Sequence, residues 1–382
     1  MTYLIKSPLK RKIVALLDNI GELFFDKRDG GCSEAIKSIL LIRLDHLGDV
    51  LLTTPAIKSL KQQFPHARVT MVVKGWSFEA IRNNPHIDKI LIFNSFWTIS
   101  SQEGTKTEGI AGIYQLIREL RKERFDLAVD FKGDFRNILI AYLSGARRRI
   151  SYNIRGGGFL LTDIVPYEPE IHEIDKNLNL LTPLGINSED SDMELYVDDE
   201  DVATVEKIFT QKGIDLKRRT IALHYGGASQ FKRWDTESFV ALAEKLAEEN
   251  STNVLVFAGP YERKVSQLIR IPEKGIFIMP EMTICQMAAA FKRCGLLVCN
   301  DSAPMHIGAA VRTPTVAIFG PTFADRFGPK DLKRNRAVRS RLPCSPCWHP
   351  DKAIACRERD CLRSIEVDKV LVAIKELYQG IS

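Results

Sequence analysis

Ser38-Ile39-Leu40-Leu41-Ile42-Arg43-Leu44-Asp45-His46-Leu47-Gly48-Asp49-Val50 is the stretch that decides the fold. The apolar run from Ser38 to Ile42 reads as a strand buried on both faces, as parallel sheets demand. A short polar loop ending in Gly48-Asp49 follows, and then an amphipathic helix over about Val50 to Phe64. Strand, loop and helix in this order put the loop at the carboxyl end of a sheet, where open α/β folds hold their ligands. Asp49 then stands in a crevice, where it either acts as general base in a group transfer or simply caps the helix. A helix N-terminus would hold it ionised, which makes it a weak base of low pKa.

The same alternation extends outward. Val69 to Val73, Lys89 to Phe93 and Leu127 to Phe131 read as short buried strands, with a helix at Gly109 to Glu123. A second series begins near Thr220. It runs through Thr220 to His224, a helix at Thr236 to Glu249, Asn253 to Ala258, Ile276 to Met279, Leu296 to Cys299 and Thr315 to Phe319. Repeated βα units predict parallel, doubly wound sheets. Two series joined by the acidic stretch Asn187 to Asp201 predict two Rossmann-like domains, 37–186 and 202–365, facing each other across a cleft. A last helix, about Val367 to Tyr378, occupies 366–382.

The 382 residues are 45% hydrophobic and 27% charged, the composition of a globular protein. No apolar run reaches the roughly eighteen residues of a membrane-spanning helix. The start of the chain lacks the apolar core and cleavage site of a secretory signal, so a cytoplasmic location with reduced thiols is expected. Residues 1–30 stand apart: Leu9 to Phe25 is apolar at helical spacing with basic residues at its start, and Asp26 to Ser33 reads as a linker. Such a helix either lies on a membrane surface or packs on the protein. The net charge is +6, concentrated in Arg147-Arg148-Arg149, Arg155 and the segment Lys330 to Arg341. These patches suit an anionic substrate or an anionic lipid leaflet, and no nucleic-acid motif accompanies them.

The second series carries its own loop signals. His224-Tyr225-Gly226-Gly227-Ala228-Ser229 is a strand running into a small-residue loop, with Lys232 and Trp234 close behind. Glycines let backbone N–H groups approach a phosphate, and Ser229 adds a hydroxyl donor. Asn300-Asp301-Ser302-Ala303-Pro304-Met305-His306 leaves the strand Leu296 to Cys299 and opens a helix, with Asp301 or Ser302 as cap and Pro304 in the first turn. Gly259-Pro260-Tyr261-Glu262 ends another strand, where a carboxylate can accept bonds from ribose hydroxyls.

Gly48-Asp49, Lys232-Arg233-Trp234, Gly259-Pro260-x-Glu262 and Asp301-Ser302-Ala303-Pro304-Met305-His306, in this order, resemble the family 9 glycosyltransferases, the ADP-heptose:lipopolysaccharide heptosyltransferases. The match spans about Ile39 to Ile365. The resemblance implies a GT-B fold, with the acceptor on the N-terminal domain and ADP-heptose on the C-terminal one. It implies Asp49 as catalytic base. It implies Lys232 at the donor diphosphate, Glu262 near the ribose, Asp301 near the heptose hydroxyls and His306 in the same motif. Gly227, Ala228, Ser229, Ser302 and Ala303 complete the expected donor site. It further implies an inverting, metal-independent enzyme with no cofactor, working at the inner face of the inner membrane on a lipopolysaccharide inner-core acceptor. The chain departs from the family at His224-Tyr225-Gly226-Gly227, where a proline is common before Gly-Ala, and at Asp235, where proline is frequent; both leave another donor or glycan acceptor open.

On the acceptor side, Arg136, Arg149 and Arg155 are candidates to meet an acidic sugar. Cys344, Cys347, Cys356 and Cys361 lie within eighteen residues, with spacings of two, eight and four. A structural metal site and plain or partly disulfide-bonded thiols both fit. Sugar-nucleotide 2-epimerases share the GT-B architecture and form the alternative class. A nicotinamide dehydrogenase is disfavoured, because no G-x-G-x-x-G follows a strand.

Overall fold

The computed structural model describes residues 4, 7–24, 36–95, 97, 107–248, 252–258, 275–347, 356 and 358–381. The chain divides into two compact units, Met1–Asp192 and Met193–Ser382, with the break inside the acidic stretch.

The first unit opens with α1 (Pro8–Phe24), β1 (Ser38–Arg43), α2 (Leu47–Leu51), α3 (Thr54–Gln63), β2 (Arg68–Val73), α4 (Gly75–Phe78) and β3 (Lys89–Ile92). It continues through α5 (Ile110–Glu123), β4 (Leu127–Asp130), α6 (Phe135–Leu143), β5 (Arg148–Tyr152), β6 (Asp163–Val165) and α7 (Glu173–Asn179). Its strands pair in parallel in the order β3-β2-β1-β4-β5-β6. Ile39, Leu40, Leu41 and Ile42 of β1 are fully buried, as a central strand with helices on both faces must be.

The second unit begins with α8 (Asp199–Gln211), β7 (Arg219–His224), α9 (Thr236–Glu248), β8 (Thr252–Phe257), β9 (Ile276–Ile278), α10 (Ile284–Lys292) and β10 (Leu296–Asn300). Then come α11 (Ala303–Ala310), β11 (Thr315–Phe319), α12 (Ala324–Phe327), β12 (Asn335–Arg339), α13 (Asp360–Arg363) and α14 (Val367–Ile381). The strand order β12-β11-β10-β7-β8-β9 repeats that of the first sheet. The order therefore reverses between β1 and β4 in one unit and between β7 and β10 in the other. Ligands of doubly wound sheets bind at such reversals, beyond the carboxyl ends of the strands.

Two expectations about local structure change. The helix foreseen over Val50 to Phe64 is two helices, α2 and α3, with Thr53 as the N-cap of the second and Pro55 in its first turn. Pro55 has no N–H to bond back to the preceding turn but is tolerated in the first turn of a helix, so the helical ladder breaks and restarts there. The N-terminal helix packs on the first unit. Asp18 accepts hydrogen bonds from the Gly157 N–H (2.8 Å) and the Asn153 amide (3.0 Å). Gly21 lies so close to Phe159 that a Cβ there would stand 2.3 Å from the ring. The opposite face still presents Leu9, Leu16, Leu17, Leu23 and Phe24 to solvent. In the second unit, α14 buries Val370, Ile374 and Leu377 in the core beside Trp234 and Leu362.

Candidate active site

At the first reversal, the loop after β1 and the loop after β4 meet around two aspartates. Arg43, the last residue of β1, is buried and reaches both: its Nε lies 3.3 Å from Asp45 and its Nη2 3.6 Å from Asp49. The Arg43 Nη1 also donates to the Phe131 carbonyl, which ties β1 to the end of β4. Lys132 pairs with Asp45 from the opposite loop. Beneath it, buried Asp130 accepts from Ser151 Oγ (2.8 Å), Asn137 Nδ2 (3.0 Å), Gly133 N–H (2.8 Å) and Lys132 N–H (3.2 Å), so the Lys132 loop is held rigidly. Burial lifts the Asp130 carboxyl to about 6 against those bonds.

The two loop aspartates are driven apart. Burial would raise Asp45, but Arg43 and Lys132 outweigh it and hold that carboxyl below the usual range. Asp49 moves the other way: burial raises it more than Arg43 lowers it, and the neighbouring Asp45 charge adds to the rise. This corrects the expectation of a dipole-lowered pKa. Asp49 is the third residue of a five-residue helix whose N-cap is His46, so it neither caps the helix nor sits at a strong dipole. Its side chain remains 31% exposed. A partly exposed carboxylate with a raised pKa is suited to proton abstraction.

The proposed acceptor arginines do not gather here as a set. Arg136 is locked in a two-bond fork on its own N-cap residue, with Nε and Nη2 each 2.7 Å from Asp134. Arg155 leans on the same carboxylate at 3.7 Å. Arg149 stands near the start of β5, at the amino ends of the strands, and donates to the carbonyls of Leu160 (2.6 Å) and Ala146 (2.7 Å).

At the second reversal, the Tyr225–Ser229 loop after β7 is braced by Asn300. Its Nδ2 donates to the carbonyls of Tyr225 (2.8 Å) and Gly226 (3.1 Å), and its Oδ1 accepts from the Trp234 N–H (2.9 Å). Arg233 Nε adds a bond to the Gly227 carbonyl (2.6 Å). Gly227, Ala228 and Ser229 lead into a single 3₁₀ turn, Gln230–Lys232, that delivers the lysine. Lys232 Nζ lies 2.9 Å from Asp301 Oδ2. Thr322, in the loop after β11, donates its hydroxyl to the same oxygen. Asp301 is thus engaged by a lysine and a threonine, and Ser302 is the helix N-cap. No side chain caps the first turn of α11; the Ser302 hydroxyl bonds instead to the Asn300 carbonyl at 3.3 Å. Ala303 opens α11, and His306 is buried one turn in. The helix lies tight on the sheet, since a Cβ at Gly308 would stand 2.6 Å from Leu297 and 2.8 Å from Thr315. A cation beside a helix N-terminus has the charge and N–H donors that suit an anionic group. Glu262 lies outside the described residues.

His224, at the end of β7, is buried, and burial pushes its imidazole down to about 4. The neutral ring is therefore the folded form. Because the unfolded histidine titrates near 6.5, its stabilising contribution is fully present above that pH and is lost as pH falls toward 4. A loss of roughly 3 kcal/mol is expected across that window. Urea unfolding followed by tryptophan fluorescence should show it in the wild type, and His224→Gln should flatten the slope.

Cys344, Cys347 and Cys356 are exposed free thiols, and Cys361 is buried. Burial raises the Cys361 thiol, with Cys347, Cys356 and Cys344 adding to the rise, so the four lie within electrostatic reach of one another. Among the described residues, however, no three His, Cys, Asp or Glu side chains stand where they could hold a metal ion.

Sequence reasoning gave no role to Arg43, Asn300 or Thr322. Arg43 carried a signal, a charge closing an otherwise apolar strand. Asn300 and Thr322 act through contacts between distant loops, which no local pattern reveals.

Two parallel Rossmann-type units of the same strand order, each with polar residues at its reversal, have the architecture of the GT-B class. Residues 113–356 match the profile of glycosyltransferase family 9 (heptosyltransferase), and the chain belongs to that family. It is similar to lipopolysaccharide heptosyltransferase 3 of Escherichia coli, at 27% identity over 286 residues, covering 72% of this chain and 81% of that one. In fold it is similar to a family 9 glycosyl transferase from Veillonella parvula, with a TM-score of 0.77 and 23% identity, covering 89% of this chain and 97% of that one. It is also similar in fold to the E. coli ADP-heptose lps heptosyltransferase II, with a TM-score of 0.72 and 19% identity over 90% of this chain and 100% of that one.

Proposed function

We propose that this enzyme transfers heptose from ADP-heptose to a lipopolysaccharide inner-core acceptor, with inversion at the anomeric carbon and without a metal ion. The reading rests on one observation above the others: each unit holds half of the required chemistry at its own reversal point. The first has a base of raised pKa, Asp49, oriented by Arg43. The second has Lys232 paired with Asp301 next to the N-terminus of α11, an arrangement that supports diphosphate binding by the lysine and the helix. Family membership supplies the heptosyl class, and the names of the relatives support the nucleotide sugar and the lipopolysaccharide acceptor.

In this displacement an acceptor oxygen attacks the anomeric carbon as its proton passes to Asp49, and the bond to the β-phosphate oxygen of ADP breaks. Lys232 and the N–H groups of α11 stabilise the charge that grows on the diphosphate, the role a divalent ion plays elsewhere. The exposed apolar face of α1, with Arg11 and Lys12 at its start, supports a peripheral position on the anionic inner face of the inner membrane. Among the described residues no helix is long and apolar enough to cross a membrane.

The test is incubation of the purified protein with ADP-heptose, with and without truncated lipopolysaccharide, in EDTA. ADP should appear only with the acceptor and at a rate EDTA leaves unchanged. Conversion of the nucleotide sugar without acceptor would contradict the reading.

A further inference from the structure

Among the described residues, four cations stand around the Asp45 loop in the first unit, and three of them are committed. Arg43 serves Asp45 and Asp49, Lys132 serves Asp45, and Arg136 is forked on Asp134. The fourth is Lys74, the residue that follows β2. Its side chain is buried, and its Nζ has no hydrogen-bond partner among the described residues. It lies 4.5 Å over the ring of Trp76. Trp76 and Ser77 both bond to the Asp45 carbonyl, Nε1 at 3.3 Å and Oγ at 3.0 Å, so this corner is fastened to the loop that carries Asp49.

A buried ammonium without a hydrogen-bonding partner is costly, and native structures keep such groups where something binds them. Here burial and the nearby Lys132 push the ammonium down to about 8, with Arg136 acting in the same sense and Asp45 opposing. It therefore remains protonated at neutral pH, inside a field to which two further cations contribute. Arg136 in turn lies 5.6 Å over the ring of Trp97. The corner thus combines an ammonium without a hydrogen-bonding partner with indole rings, whose faces suit the apolar face of a sugar ring.

We propose that Lys74 is the anion-recognition residue of the acceptor side, binding an acidic group (carboxylate or phosphate) on the acceptor glycan beside Asp49. The proposal rests on the reading of this unit as the acceptor half. Arg136, Arg149 and Arg155 are occupied by Asp134 or by backbone carbonyls and fill supporting roles. Trp76 covers the ammonium and shifts when the anion arrives.

The experiment compares the wild type with Lys74→Met, which keeps the length of the side chain and removes its charge. Deacylated truncated lipopolysaccharide core is titrated by calorimetry in native, dephosphorylated and carboxyl-reduced forms, without donor. In parallel, inorganic phosphate is titrated against 5-fluorotryptophan-labelled protein, with the Trp76 resonance assigned through Trp76→Phe. The native acceptor should bind the variant about 10- to 100-fold more weakly. One of the two neutralised forms should bind both proteins equally, and that form names the acidic group. Phosphate should move the Trp76 resonance saturably in the wild type and not in Lys74→Met. The melting temperature of the variant should be unchanged or higher, because a buried unpaired charge has been removed. Equal binding of the native acceptor, an equal loss for all three forms, or a lower melting temperature with binding intact would overturn the proposal. If the wild type binds no form of the acceptor while its Trp76 response to phosphate still requires Lys74, the anion site stands and the acceptor reading falls.

Discussion

Asp49→Asn is expected to lower kcat by about 10²- to 10⁴-fold, the range a positioned general base contributes. The change preserves shape and leaves Arg43 its second partner, Asp45, at 3.3 Å, so folding and donor affinity should be unaffected. The expected pH profile is equally specific. Burial raises the Asp49 carboxyl, so the acid limb of kcat/KM should lie above the ~4 of a free carboxylate. Activity is retained above that limb and lost as pH falls through it, since only the ionised form accepts the proton. Steady-state rates of the folded variant check the first expectation, and a wild-type pH titration checks the second. A near wild-type rate in Asp49→Asn would remove the base assignment. The supporting geometry would then describe only an ion-paired loop.

Lys232→Ala should have the second large effect, a loss of about 10²- to 10³-fold in kcat with weaker ADP binding. Two consequences combine. The leaving diphosphate loses its cation, and Asp301, whose side chain is only 5% exposed, loses an ion-pair partner 2.9 Å away. Removing one member of a buried pair leaves an uncompensated charge, and the cost falls on stability as well as on rate. The Thr322 hydroxyl bond to Asp301 remains and limits the damage. Calorimetric titration with ADP and thermal melts separate the two. Unchanged ADP affinity would show that the lysine serves Asp301 alone.

The two parallel sheets were legible because buried parallel strands carry unbroken apolar runs, as Ile39–Ile42 and Leu296–Cys299 do. What escaped was short or charged. β5 begins with Arg148-Arg149 and was read as a basic patch, although Arg148 forms a two-bond fork with Asp163 and Arg149 serves nearby carbonyls. The loop residues Asp49, Lys232 and Asp301 were legible because each follows a recognisable strand, and the last two are brought together within one unit. Lys74 was not, since a lysine after Val72-Val73 looks like an ordinary solvated strand end. Its burial arises from Trp76 closing over it and from the Asp45 loop fastened beside it, and both contacts are tertiary. Asp49 shows the limit from the other side: its position could be read, but its pKa could not, because burial and Arg43 act through the folded unit.

The most direct test of the central claim is the structure of the reaction product. Wild-type enzyme, ADP-heptose and truncated lipopolysaccharide should give an acceptor heavier by one heptosyl residue, with ADP released in equal amount. NMR of the new linkage should show the anomeric configuration opposite to that of the donor. A retained configuration, or a donor consumed with no heptose on the acceptor, would contradict the single displacement assigned to Asp49.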